Sequence, residues 1–128
     1  MRLIIYTCIF ILGISAGATA QETTDEINKA IRGGDATTLS DHFNSSLDIS
    51  IPGTDQTMSR AHATQVIKKF FSENPPKSYK VNHIGSSREA TKYIIGTYTS
   101  GIRSYKTYAL LKINDGKYRI VQLQFELE

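Results

Sequence analysis

The sequence predicts an α+β domain, with three helices from its first half packed on a strongly curved antiparallel sheet from its second. Three observations carry this. The stretch SRAHATQVIKKFFSE places Ala63, Val66, Ile67, Phe70 and Phe71 at i, i+3, i+4, i+7 and i+8, one wide apolar helical stripe. After Pro75-Pro76 the apolar period changes from helical to two, through SYKVNHI, TKYIIGTYT, RSYKTYALLKI and KYRIVQLQFEL. Between the last three of these runs stand Ser100-Gly101 and Asn114-Asp115-Gly116, short enough to be hairpin turns.

Before the domain comes a leader. Arg2 is followed by an uncharged apolar run, Leu3 to Ile14, and by Ala18-Thr19-Ala20, with small residues where signal peptidase requires them. The pattern predicts a signal peptide over 1–20, cut before Gln21, and a single domain over 21–128. A membrane anchor needs roughly 18 or more apolar residues, and this run is shorter. The product is expected to be exported, periplasmic or secreted, with no stable membrane insertion after cleavage. The single cysteine, Cys8, lies within the leader. Disulfides, thiolate metal sites and thiol nucleophiles are therefore not expected in residues 21–128.

The elements follow in order. Thr23 and Glu26 form a capping-box pattern for a first helix, with Ile27, Ala30 and Ile31 on one face and Gly33-Gly34 as its stop. Asp35 is suited to cap a second, shorter helix in which Leu39 and Phe43 point inward, broken by Asn44-Ser45-Ser46. LDISI alternates, so Leu47, Ile49 and Ile51 face the core and Asp48 faces water; Thr54 to Met58 can add a short strand. Ser59 caps the long third helix, and Asn74-Pro75-Pro76 ends it. In the last strand Val121, Leu123, Phe125 and Leu127 share one phase, while Tyr118 and Ile120 occupy the other. A bulge near Ile120-Val121 reconciles them. Helices and sheet each have an apolar face to hide, so the helices cover the sheet.

The segments GGDATTLSDHF, FFSENPP, VNHIG and IIGTYTSG, in this order of elements, resemble a family of small secreted bacterial proteins of unknown function within the nuclear transport factor 2-like superfamily. The resemblance spans nearly all of residues 22–128. It implies a cone of strands wrapped over helices, with a pocket between sheet and helices. Some members of the superfamily catalyse reactions there, as ketosteroid isomerase and scytalone dehydratase do, and others only bind. Fold alone does not choose between them. The isomerase arrangement, an aspartate base with a tyrosine and a protonated acid, finds no match in this sequence.

Candidate site residues are few. His83 shares a phase with Tyr79 and Val81 and is expected to point inward, first as a satisfied buried histidine and second as a pocket-lining group. Tyr98 and Tyr108 lie mid-strand, where a ring supplies apolar contact and a hydroxyl orients a ligand. His42, beside Phe43, is placed at the rim of the cone, whereas His62 at the start of the third helix reads as a surface group. No catalytic residue is assigned. No histidine pair at i, i+4, carboxylate cluster or phosphate loop points to a metal or cofactor. The formal charge of +3, one unit of it from Arg2, with no dense basic run, gives no reason to expect nucleic acid. The expected function is an exported binding or interaction module. It would take a small apolar or amphipathic ligand in the cone, and its outer sheet face would suit a homodimer. The alternative is a small isomerase-, dehydratase- or hydrolase-like enzyme using a pocket histidine.

Overall fold

The structure is a computed structural model that describes residues 19–87 and 90–128. Most of the predicted signal segment therefore lies outside the described residues. Helices α1 (Ala20–Gly33), α2 (Ala36–Ser40) and α3 (Arg60–Glu73) pack against strands β1 (Phe43–Ile51), β2 (Thr54–Ser59), β3 (Ser78–Ser87), β4 (Thr91–Ser100), β5 (Arg103–Asn114) and β6 (Lys117–Leu127). The six strands form one open sheet in the order β2-β1-β6-β5-β4-β3. The last four make the expected antiparallel meander. β1 joins its edge parallel to β6, with Ile49 opposite Leu123, so the whole sheet is mixed.

Local chemistry explains most boundaries. α1 begins a turn earlier than its sequence pattern suggests, because Thr19 supplies a cap ahead of Thr23. The Thr19 side chain accepts from the Glu22 N–H at 3.2 Å. Thr23 and Thr24 are buried inside the helix, and the Thr24 hydroxyl donates back to the Gln21 carbonyl. Gly34 stops α1 in the left-handed region at φ 63°, and Asp35 N–H reaches the Ala30 carbonyl at 2.9 Å. A Cβ on Gly34 would also meet the Pro76 ring at 3.0 Å, so this glycine serves both the turn and the packing of the twin prolines.

Asp35 caps α2 as expected, accepting from the Thr38 N–H and hydroxyl, and these bonds hold its carboxyl below the usual range. α2 is shorter than the sequence implied. Phe43 belongs to β1, which starts ahead of the Asn44-Ser45-Ser46 run rather than after it. Ser59 caps α3 through the His62 N–H. Ala63, Ile67, Phe70 and Phe71 of the stripe are buried, and Val66 is half-buried. Burying Ile67, Phe70 and Phe71 stabilises the fold by at most roughly 5–9 kcal/mol, at about 1.5–3 each.

Two bulges shape the meander. Leu110 pairs with Gln122 and Leu111 with Ile120, which leaves Val121 as an extra residue. Ile120, Leu123 and Phe125 all reach the core as a result. The second bulge is in β3: Val81 pairs with Gly96 and His83 with Ile95, leaving Asn82 unmatched. It reverses the phase of everything after it.

Candidate functional site

The concave side of the sheet is filled rather than hollow in its deep part. Phe70 and Phe71 of α3 meet Tyr98, Tyr105 and Phe125, with ring centroids 4.7 Å apart for Phe70–Phe125 and 5.3 Å for Phe70–Tyr105. The cluster is tied to the end of α3 through Asn74. The Tyr98 hydroxyl donates to the Asn74 carbonyl, and the Tyr105 hydroxyl donates to Asn74 Oδ1 at 2.8 Å. Asn74 Nδ2 in turn donates to the Phe70 carbonyl at 3.1 Å. Burial pushes the Tyr98 phenol well above its ordinary pKa, with Tyr105 adding to the shift. Tyr98 is 0% exposed and is a neutral, committed donor within the core.

Beyond this cluster, at the rim, lies a cleft of about 400 Å³ between the C-terminal half of α3, the β1–β2 turn and the start of β5. Ile51, Pro52, Val66 and Phe70 form its apolar wall, and Lys69, Glu73 and Arg103 are its charged groups. Lys69 and Glu73 face each other one helical turn apart at 3.9 Å. Arg103 makes no ion pair among the described residues. It stands two residues before Tyr105, in the phase of Tyr105, Thr107, Ala109 and Leu111, all of which are buried on the concave side. The backbone therefore aims Arg103 over the cleft. Sequence reasoning passed over it. The available signal was a cation on the apolar phase at a strand end, next to a hairpin turn.

The four sequence-predicted residues do not converge. His83 is a correction: the Asn82 bulge turns it onto the outer face of the sheet, where it is exposed, and it does not line the cone. Its Nε2 lies 3.2 Å from the Tyr93 hydroxyl, and the Tyr93 ring stacks on Tyr108 at 6.4 Å. Tyr108 is thus on the outer face as well. Tyr93 lies flat across Gly85, where a Cβ would fall 2.2 Å from the ring. His42 sits near the start of β1, mostly covered, with Nε2 3.1 Å from a Glu26 carboxylate oxygen of α1. Burial lowers its pKa, and Glu26 and Asp41 oppose that shift. His62 is exposed on α3. Among the described residues there is no group of three or more His, Cys, Asp or Glu side chains able to hold a metal, and no helix long and apolar enough to cross a membrane.

Three helices on one face of a bent, open sheet, with the last four strands as a meander, define a nuclear transport factor 2-like fold. Solved structures agree. A nuclear transport factor 2-like protein of unknown function from Cytophaga hutchinsonii matches 90% of this chain and 95% of its own, at 12% identity and a TM-score of 0.64. The family model described as "Domain of unknown function (DUF4783)" matches residues 24–126, and the chain belongs to that family. Its crystallised members include one from Bacteroides uniformis (20% identity, 81% of this chain and 95% of that one, TM-score 0.77). Another comes from Bacteroides ovatus (22% identity, 80% and 93%, TM-score 0.76). No curated protein matches the chain.

Proposed function

We propose that the protein is an exported, non-catalytic binding module that holds a small amphipathic ligand at the rim of its cone. The observation that carries this reading is the rim cleft. Its volume falls within the range of small-molecule sites, and it combines an apolar wall with a few convergent polar groups. The aromatic cluster beneath gives it a rigid floor. The enzyme alternative required a histidine inside the cone, and His83 stands outside it. Mass spectrometry of an organic extract of the purified protein tests the binding reading. A small molecule should be retained by the natural chain and lost from Val66→Trp, which fills the cleft. Equal extracts from both would refute it. Export is tested by N-terminal sequencing of the mature protein, which should begin at Gln21.

A second surface supports self-association. Across the outer face, His83, Tyr93, Ile95, Tyr108 and Leu110 lie on three neighbouring strands, and all but His83 are half-buried. Tyrosine and aliphatic groups framed by Gln122 and Gln124 suit a moderately polar interface between two copies. Light scattering should give the mass of a dimer for the natural chain and of a monomer for Tyr108→Glu. A monomer for both would remove the proposal.

A further inference from the structure

We propose that the ligand of the rim cleft is a carboxylate-headed amphiphile, received by Arg103 and laid along Ile51, Pro52 and Val66. The inference rests on the reading of this cleft as a binding site and adds the chemical class of what it binds. Three charged groups line the cleft. Lys69 and Glu73 offset each other across one turn of α3. Arg103 is left as the uncompensated charge, held by strand phase on the concave side at the start of β5. Its neighbours at the α3 end are already occupied: Asn74 receives the Tyr105 hydroxyl, and its amide serves the Phe70 carbonyl. A ligand head therefore meets the guanidinium as the charged group of the site that makes no ion pair among the described residues, with the Thr54 hydroxyl beside it as a further donor or acceptor. A planar fork of donors matches a carboxylate through two parallel hydrogen bonds. One net positive charge, with Glu73 close by, suits a monoanion and disfavours a phosphate dianion. Ile51, Pro52, Val66 and Phe70 give the rest of the wall an apolar strip, which calls for a hydrocarbon tail.

Titration calorimetry of the mature chain with octanoate, octanol and octyl phosphate tests this, with Arg103→Gln, Glu73→Gln and Val66→Trp as variants. Octanoate should bind at least tenfold more tightly than octanol and more tightly than octyl phosphate. Arg103→Gln should bring octanoate to the level of octanol and leave octanol unchanged. Glu73→Gln should tighten octanoate by a few-fold, which is a gain that a misfolded variant would not show. Val66→Trp should abolish binding of both tails. Equal affinity for octanoate and octanol, unaffected by Arg103→Gln, overturns the assignment of the head while the binding reading stands. Tighter binding of octyl phosphate overturns the charge argument. If Val66→Trp leaves octanoate binding intact, the site is elsewhere and the inference fails. If none of the three compounds binds, the inference and the reading beneath it fall together.

Discussion

Asn74 is where the helix layer is fastened to the aromatic floor, and Asn74→Ala measures that fastening. Its φ is negative, −130° with ψ 69°, so alanine there meets none of the strain of the left-handed region. Two things are lost. The Tyr105 hydroxyl, in a residue only 2% exposed, loses its acceptor, and an unsatisfied buried donor costs about 1–3 kcal/mol. The hydrogen bond donated by Nδ2 to the Phe70 carbonyl contributes about 0.5–1.5 kcal/mol. Water entering from the cleft beside Tyr105 recovers part of both, so the expected loss is about 1.5–3 kcal/mol in urea unfolding. The geometry also predicts which tyrosine is coupled. Tyr105 bonds to the Asn74 side chain, whereas Tyr98 bonds to its backbone carbonyl, which survives the substitution. In double-mutant cycles Tyr105→Phe should therefore show a coupling to Asn74→Ala of about 0.5 kcal/mol or more. Tyr98→Phe should be additive with it. A loss below about 0.5 kcal/mol for Asn74→Ala, or additivity with Tyr105→Phe, would refute the reasoning.

Further predictions concern the glycines, a histidine and the first helix. A Cβ at position 96 would fall 2.8 Å from the Tyr79 ring and 2.9 Å from both the Lys80 carbonyl and the Thr107 hydroxyl. Gly96→Ala should therefore cost about 1–3 kcal/mol in urea unfolding. Gly85→Ala should cost less, because the Tyr93 ring it meets is on the half-exposed outer face and can swing aside. A larger loss at 85 than at 96 would contradict this. Burial holds the pKa of His42 below its ordinary 6.5, so the folded chain binds fewer protons there than the unfolded chain. That contribution to stability is present above pH 6.5 and is lost as pH falls below it. Melting temperatures of the natural chain should drop more steeply than those of His42→Asn between pH 7 and pH 5; parallel curves would argue against it. The proposed cleavage before Gln21 would remove the Thr19 cap and place a free amino group at the start of α1. A chain beginning at Thr19 with its amine acetylated should be about 1 kcal/mol more stable than one beginning at Gln21, and equal stability would show that the cap contributes nothing.

The two bulges show what the sequence makes legible and what it hides. Both serve the same end, since each lets apolar residues three apart, Ile120 with Leu123 and Val81 with Ile84, share the concave side. The one in β6 is evident because long alternating runs flank it, Tyr118 and Ile120 before and Leu123 to Leu127 after, and their phases conflict. In β3 nothing alternates beyond Ile84, so VNHIG reads as an unbroken phase and His83 seems to continue Tyr79 and Val81 inward. The same limit applies to the pocket. β4 and β5 carry apolar residues in both phases, so alternation does not separate Tyr98 and Tyr105, which face the concave side, from Tyr108, which does not, and it does not tell whether a tyrosine lines a hollow or fills it. That depends on where Phe70 and Phe71 enter from α3, a matter of tertiary packing. The β3 phase carries only a modest difference in burial. Continued without a bulge, the pairing would set His83 opposite Ile94, a core residue, and turn Ile84 to the outer face. Ile84 is 38% exposed even in that place opposite Ile94, so an imidazole there would stay in contact with water and only a fraction of the roughly 1.5–3 kcal/mol of a fully buried isoleucine is at stake. The bulge costs one unpaired residue at Asn82, on an edge strand where water is at hand, and the Asn82 amide finds the Thr97 hydroxyl at 2.8 Å. The bulge is what sets His83 beside Tyr93 and Tyr108 on the outer face.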